Sequence, residues 1–589
     1  MSEFSKVVIT KKGQALMAKL MSGSGKVEFT EIRVSETAYS ESQLENLTAL
    51  TNVKQTTAVS KVTRTNDVAV QVEGAVGNEL LSVGYYMRTI GLFAKDPQDG
   101  IILFAVTTAQ QAGFMPPFNG KTTSGAHFKI VTTIGNSSNV TIQVDPAAVA
   151  TIGDIRDLEA QIIDLKSYVG YKDDDILGLE VDFKASKFTR LSGAVNRTPG
   201  ASFDGFKMFG GRKRCMLTDD GVNLGYLGDA GYTETGALAQ SITENEVTYP
   251  VGTPVQVMVE QPKFYYKVVP LVTEKIEGGK GHHLRKARYY VSDTPKLGFK
   301  LHPAFIKNGE VLNRVYLSAY EGCLYDVSAS AYNLIDDQAG DFTATTGDKL
   351  SSIANAKPAS GLTQALTRSG ARIVAQNRGA GWELMYAATA AATQLLFAVE
   401  YGTFNTQTAI GMGVSKVDDT VSNMSDPTGA TSSLGNASGK AESGSVTYRG
   451  EENFWMNINI WVDGMNIKPQ GLHELYVADH NFADDKGDGS YQNAGITMAK
   501  TAGHVSAFAY SEPFDWLFMP SETLGNSSVP VGDYFYQNAV STAGWLAAFL
   551  GGSWSSSSSN GGFYWYLNNS SAIRDRYRGA RLVYAAKNL

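Results

Sequence analysis

Hydrophobic and polar positions along the first 150 residues predict one helix followed by several strands. In "VVITKKGQALMAKLMSGSG", Leu16, Met17 and Leu20 recur at helical spacing and Gly23 stops the run. "KVEFTEIRVS" then shifts to a strand pattern with Val27, Phe29, Ile32 and Val34 inward. "YYMRTIGLFAKDPQDGIILFAV" reads as two apolar strands around a turn, with Asp96-Pro97 and Asp99-Gly100 as breakers. "HFKIVTTIG" and "NVTIQVD" add two more strands. A mixed α+β domain over residues 1–150 follows.

The pattern changes at 151–170, "TIGDIRDLEAQIIDLKSYVG". Ile155, Leu158, Ile162, Leu165 and Val169 advance by three and four, the seam of a short coiled coil. The same spacing fits an amphipathic helix packed on its own domain. Isoleucine at several seam positions favours three strands, so a homotrimer is expected. Residues 171–204 read as a spacer, and 205–589 as a second domain of many short strands punctuated by glycine. "GAGWELMYAATAAATQLLFAVEYGTF" predicts its one long helix, from Gly381 to Tyr401. Residues 411–450, rich in Gly, Ser and Thr, predict long surface loops. The fold class expected is multidomain α+β.

Composition narrows the function. A net charge of −7 argues against nucleic acid as a partner. The N-terminal stretch lacks the apolar core of a signal peptide, and the longest apolar run, from Met385, carries Thr, Gln and Glu. The expectation is a chain made in a cytoplasm and not inserted in a membrane. Cys215 and Cys323 are far apart, which gives no zinc or redox motif. His127, His282, His283, His302, His473, His480 and His504 fall in no catalytic pattern. Glu451 and Glu452 are adjacent on a strand and so face opposite ways, a poor pair for cleaving glycans. Asp479, Asp484, Asp485 and Asp488 form an oxygen-rich turn without the spacing of a calcium loop, so metal binding stays open. No enzyme and no cofactor is expected.

The end of the chain is distinctive. From Tyr534 to Ile573 no side chain is charged, and the segment holds "GGSWSSSSSNGGFYWYLNNSS". Buried hydroxyls and amides need partners, so a run this rich in Ser and Asn does not read as core. Tyr, Trp, Ser, Gly and Asn together are the composition of antibody binding loops, where aromatics give area and small polar groups give adaptable hydrogen bonds. The closing "AIRDRYRGARLVY" predicts a pinned final strand, with some arginines in ion pairs and others facing out.

Two resemblances can be set beside these readings. "ITKKGQALMAKLMSG" with "YYMRTIGLFAKDPQDGIILFAV" resembles the N-terminal domain of phage tail-collar fibre proteins, which attach a fibre to the tail or baseplate. "RSGARIVAQNRGAGWELM" and the stretch from "VGDYFYQNAV" to "GARLVY" are similar to phage receptor-binding proteins with a C-type lectin fold, among them the variable proteins of diversity-generating retroelements, such as the major tropism determinant. The resemblance implies a framework of Gly551, Gly552, Trp554, Phe563, Leu567, Arg576, Gly579, Ala580 and Arg581. It implies ligand-facing positions at Ser555, Ser556, Ser557, Asn560, Tyr564, Trp565, Tyr566, Asn568, Asn569, Ser570, Arg574, Asp575 and Tyr577. Serines and Ala572-Ile573 stand where related tails carry runs of Asn and Arg. Together the resemblances imply a virion tail fibre whose N-terminal domain meets tail or baseplate proteins and whose lectin-like domain meets a host-surface protein or glycan. A glycan depolymerase and a purely structural collar part are the competing readings.

Overall fold

The computed structural model describes residues 3–21, 27–66, 69–120, 123–133, 173–362, 366–416, 422–524, 531–538, 543–556 and 558–586. The chain divides into two units, Met1–Leu165 and Lys166–Leu589, and is mostly β. Among the described residues no helix is long and apolar enough to cross a membrane.

In the first unit the predicted helix spans Lys11–Met21. Thr10 caps it, accepting a hydrogen bond from the Gly13 N–H at 3.1 Å. Gly13 is where the helix meets the sheet: a Cβ there would stand 2.2 Å from the Phe104 carbonyl oxygen, so only glycine allows the contact. The predicted hairpin is present as strands Tyr85–Asp96 and Gly100–Met115, flanked by Glu28–Ser35 and then Val53–Ala58. Val27, Phe29, Ile32 and Val34 are all buried, although Phe29 and Ile32 differ in strand parity. A register shift between Phe29 and Glu31 takes up the odd residue. Lys61–Asn66, Ala69–Gly77 and Gly125–Thr133 make a second, antiparallel sheet. "NVTIQVD" and the seam residues Ile155, Leu158, Ile162, Leu165 and Val169 lie outside the described residues.

The second unit is built on a 14-stranded sheet and a six-stranded one. Across the larger sheet the order runs Lys187–Ser192, Leu177–Asp182, His282–Ser292, Gly503–Tyr510, Tyr534–Tyr536, Gly561–Asn569, Leu546–Gly551 and Asn459–Lys468. Three sequence expectations are corrected here. The segment 171–204 is no spacer: Leu177–Asp182 pairs with His282–Ser292, and Leu177, Leu179, Val181 and Phe183 join the main core. The long helix starts at Ala387 rather than Gly381, because Trp382–Leu384 is claimed as a strand by Leu582–Tyr584. Residues 411–450 are not simply surface loops: Val446–Tyr448 is a fully buried strand, and Asn423, Thr428 and Thr431 are buried too.

The helix Ala387–Tyr401 is buried from Ala387 through Glu400. Its small residues let the sheets close on it from more than one side. Its one carboxylate, Glu400, accepts hydrogen bonds from the Arg449 guanidinium at 2.6 and 2.7 Å, from the Tyr448 hydroxyl at 2.9 Å and from the Gly200 N–H at 2.7 Å. That set satisfies a buried charge. Gln394 donates from the helix to the Gly562 carbonyl at 2.8 Å, which ties it to the strand Gly561–Asn569.

Candidate functional site

The strand Gly561–Asn569 forms the floor of a cavity of about 380 Å³. Side chains alternate along it, as they must in a strand. Phe563, Trp565 and Leu567 point into the core, and the Trp565 indole N–H donates to the Phe518 carbonyl at 3.0 Å. Tyr564 and Tyr566 take the other face and line the cavity. Tyr566 is held between two neighbours: its ring stacks on Tyr536 at 4.9 Å and nearly parallel, and the Arg578 guanidinium stands 4.8 Å from its centre. Arg578 also covers Phe549 at 4.5 Å and donates to Asn569 Oδ1 at 2.9 Å.

A serine loop forms one wall. It leaves the sheet at Gly551-Gly552 and returns at Gly561. Gly552 has φ of 84°, and a Cβ there would lie 1.7 Å from Asn560 Oδ1. Gly561 has φ of 137° with the Asp533 carboxylate 2.1 Å from its would-be Cβ. Glycine is required at both. Outside groups grip the loop by its backbone: Gln407 donates to the Ser558 and Asn560 carbonyls at 3.1 and 2.9 Å, Ser415 to the Ser556 carbonyl at 3.3 Å, and the Lys416 N–H to the Trp554 carbonyl at 2.7 Å. Asp533 secures the return. It accepts from Phe563 N–H at 3.0 Å and from the Thr406 hydroxyl at 2.9 Å, and burial pushes its carboxyl up to about 7.

The opposite wall comes from the chain's last turn before the final strand. Asp575 Oδ1 accepts from Tyr577 N–H at 2.8 Å, and the Asp575 carbonyl accepts from Gly361 N–H at 2.9 Å. The Tyr577 ring packs on Trp554 at 5.1 Å, with Arg576 stacked over both. The Asp575 carboxylate lies 3.6 Å from the Arg578 guanidinium, so one negative and one positive group share the cavity. Burial raises the Tyr564 hydroxyl above its ordinary range, and it stays protonated. Asn459 completes the lining. It stands on a distant strand and pairs in parallel with Arg578. Its Oδ1 and the Nε of Arg578 are buried without a hydrogen-bond partner among the described residues.

Residues 1–153 match the family model for phage tail-collar fibre protein, N-terminal. The chain carries a tail-collar fibre N-terminal domain. No curated protein matches the chain. Among solved structures, a major tropism determinant, the U1 variant, is similar at 13% identity over 61% of this chain and 74% of its own, with a TM-score of 0.23. So loose a likeness does not fix the fold.

Several residues expected to face a ligand come together in the cavity beyond the tail-collar fibre domain: Ser555, Ser556, Tyr564, Tyr566, Asn569, Asp575 and Tyr577. Others do not. Trp565 is 1% exposed, because strand parity turns it to the core. Asn560 is also 1% exposed, packed against Gly552, and is withdrawn from the contact surface. Tyr564 is 5% exposed, so it supports the floor rather than projecting from it. Asn568 accepts from the Asn538 N–H at 2.9 Å, and Ser570 and Arg574 are outward and away from the lining. Ser557 lies outside the described residues. Asn459, Ser553 and Arg578 were missed. Arg578 was legible as one of the clustered arginines, whereas Asn459, in "NFWMNINIWVDGM", gave no signal beyond its strand.

The framework residues behave as structure. Trp554, Phe563, Leu567 and Arg581 are fully buried, and Arg581 donates to the Ser318 and Glu452 carbonyls at 2.8 and 2.7 Å. The acids weighed for chemistry are committed elsewhere. Glu451 pairs with buried Arg212, and Glu452 accepts from the Gly429 and Thr431 N–H groups, each at 2.7 Å. Asp484 is held by Arg368 and Arg372, and among the described residues no cluster of acids, histidines or cysteines could hold a metal ion.

Proposed function

We propose that the chain is a phage tail-fibre receptor-binding protein of the virion. Its N-terminal unit joins the fibre to the tail, its short heptad segment sets a homotrimer, and its second unit, a C-type lectin-like domain, meets the host surface. The tail-collar fibre match supports the attachment half. One observation carries the binding half: a stiff, glycine-hinged wall and an aromatic floor enclose an open cavity that holds both charge signs and many hydroxyl groups. Rigid aromatics lose little freedom on binding, and several copies on one particle multiply a modest affinity.

The work is binding rather than catalysis. Among the described residues a single carboxylate, Asp575, lines the cavity, whereas glycoside cleavage ordinarily uses two facing acids. Replacing Tyr577 with alanine is expected to weaken adsorption to sensitive cells about tenfold or more, as at a binding hot spot. Arg574→Ala, outside the cavity, is the matched control and is expected to change it little. Both variants are checked for an unchanged thermal midpoint. Equal adsorption by folded Tyr577→Ala would refute the site and favour a purely structural collar part.

A further inference from the structure

A second cavity in the second unit, of about 250 Å³, shares no lining residue with the first. The oxygen-rich turn singled out in the sequence leads to it: Asp479 and Ser490, near the two ends of that turn, line the cavity beside Gln492. The Tyr491 hydroxyl closes the turn by donating to the Ala483 carbonyl at 2.7 Å. Asp484 and Asp485 are engaged elsewhere, the first by Arg368 and Arg372, the second by the Ser571 hydroxyl at 3.2 Å. Ile306, Pro513, Phe514 and Trp516 supply apolar walls, with the Phe514 and Trp516 rings 6.1 Å apart. Among the described residues Asp479 is the only charged residue in the lining. One of its oxygens meets His480 Nδ1 at 2.5 Å, and the side chain remains 40% exposed. Ser490 is half-buried and Gln492 exposed, so a ligand can reach all three polar residues.

We propose that this cavity binds a primary ammonium group on an apolar stem, the chemistry of a lysine side chain or of a small free amine. An ammonium carries three donors and no acceptor, and the polar lining offers it acceptors. These are the Asp479 carboxylate, the Gln492 amide oxygen and the Ser490 hydroxyl, whose own hydrogen goes to the Asn481 carbonyl at 3.3 Å. The stem leaves water against Ile306, Pro513 and Phe514, and aromatic rings beside a cation add electrostatic attraction. An anion would face Asp479 with no lysine or arginine in the lining to offset it. A quaternary ammonium has no donor for these acceptors. The chain's own lysines on neighbouring segments are paired off, Lys307 with Glu383 at 2.8 Å and Lys300 with Asp515 at 2.9 Å. Glu512, exposed and next to Pro513 in the chain, adds to the negative charge nearby. So small a volume takes one side chain or headgroup rather than a larger molecule.

The test is a ligand-observed NMR titration of the full-length chain with Nα-acetyl-lysine N-methylamide and with n-butylamine. The norleucine analogue, which keeps the stem and loses the charge, and choline are the comparisons. Both primary amines are expected to bind about tenfold or more tightly than either comparison, and Asp479→Asn to lose that advantage without lowering the thermal midpoint. Should that variant be destabilised, Gln492→Lys, which sets the protein's own ammonium at an exposed lining position, takes its place with the same expected loss. A lysine probe that outbinds n-butylamine identifies a protein side chain as the source, and the reverse order a free amine; either supports the primary ammonium. Equal binding of the norleucine analogue overturns the charge assignment, and tighter binding of choline overturns the primary amine. Binding of no probe at millimolar concentration, or undiminished binding in the folded Asp479 and Gln492 variants, overturns the site itself. Adsorption through the first cavity is read separately by Tyr577→Ala, so the two readings fail independently.

Discussion

Glu321 is fully buried, with Oε2 accepting from the Asn457 and Asn453 amides at 2.8 and 3.1 Å and Oε1 unpartnered. Burial outweighs the positive charge of Arg581 and pushes its carboxyl from about 4.5 up to about 8. Between those values the folded chain keeps a proton that the unfolded chain has released. Glu321 therefore removes stability as pH rises through that window, by up to about 1.4 kcal/mol per pH unit, and adds no slope outside it. Glu321→Gln keeps the shape of the neutral acid. Its stability relative to the native chain is expected to rise from pH ~5 to pH ~8, read from urea midpoints; a constant difference would mean the carboxyl titrates normally. His302 and His473 show the opposite tendency: burial lowers them to about 3 and about 4, so they remain neutral core residues. Single residues also mark where sequence reasoning stops. The Ser and Asn content of the tail predicts a polar surface, yet Ser553, Asn560 and Ser571 are buried, and the resemblance groups Trp565 with Tyr564 and Tyr566, when alternation alone separates its face from theirs.

Among the elements, the hydrophobic pattern predicted the first-unit helix and hairpin closely, because local spacing determines both. It failed where a distant strand decides the outcome, as at Trp382–Leu384, which gains partners from the end of the chain. Leu177–Asp182 is different: Leu177, Leu179 and Val181 alternate as a strand should, but the run is only six residues long and its partner His282–Ser292 is remote in sequence. The floor strand depends on its glycine hinges and on Gln394. Gly552→Ala forces a Cβ onto Asn560 at a left-handed backbone position and is expected to destabilise the second unit by about 1–3 kcal/mol. Chemical denaturation reads this directly. An unaffected midpoint would show that the loop can re-form without its hinge. Gln394→Ala leaves the Gly562 carbonyl without its buried donor, with an expected cost of about 1–3 kcal/mol.

At the scale of the whole molecule, the proposed function assigns attachment and recognition to separate units, and so to separable surfaces. On the first unit, Leu80 is 98% exposed, and Val83, Tyr86, Phe114 and Phe118 are exposed as well, with the Tyr86 and Phe114 rings 5.0 Å apart. An apolar group of this kind on the tail-collar fibre domain is a natural face for a tail protein. Leu80→Asp combined with Phe114→Asp is expected to yield particles lacking the fibre while the purified chain still binds cells. Particles that retain the doubly changed fibre would place attachment elsewhere on the unit. The grip on the serine loop has a further consequence. Gln407, Ser415 and Lys416 hold main-chain oxygens, which every amino acid possesses, rather than the loop's own hydroxyls. On the proposed receptor-binding reading, exchanging Ser555 or Ser556, which line the cavity, changes what the particle recognises and leaves these main-chain fastenings in place, so a lineage can follow a changing host by point substitutions alone.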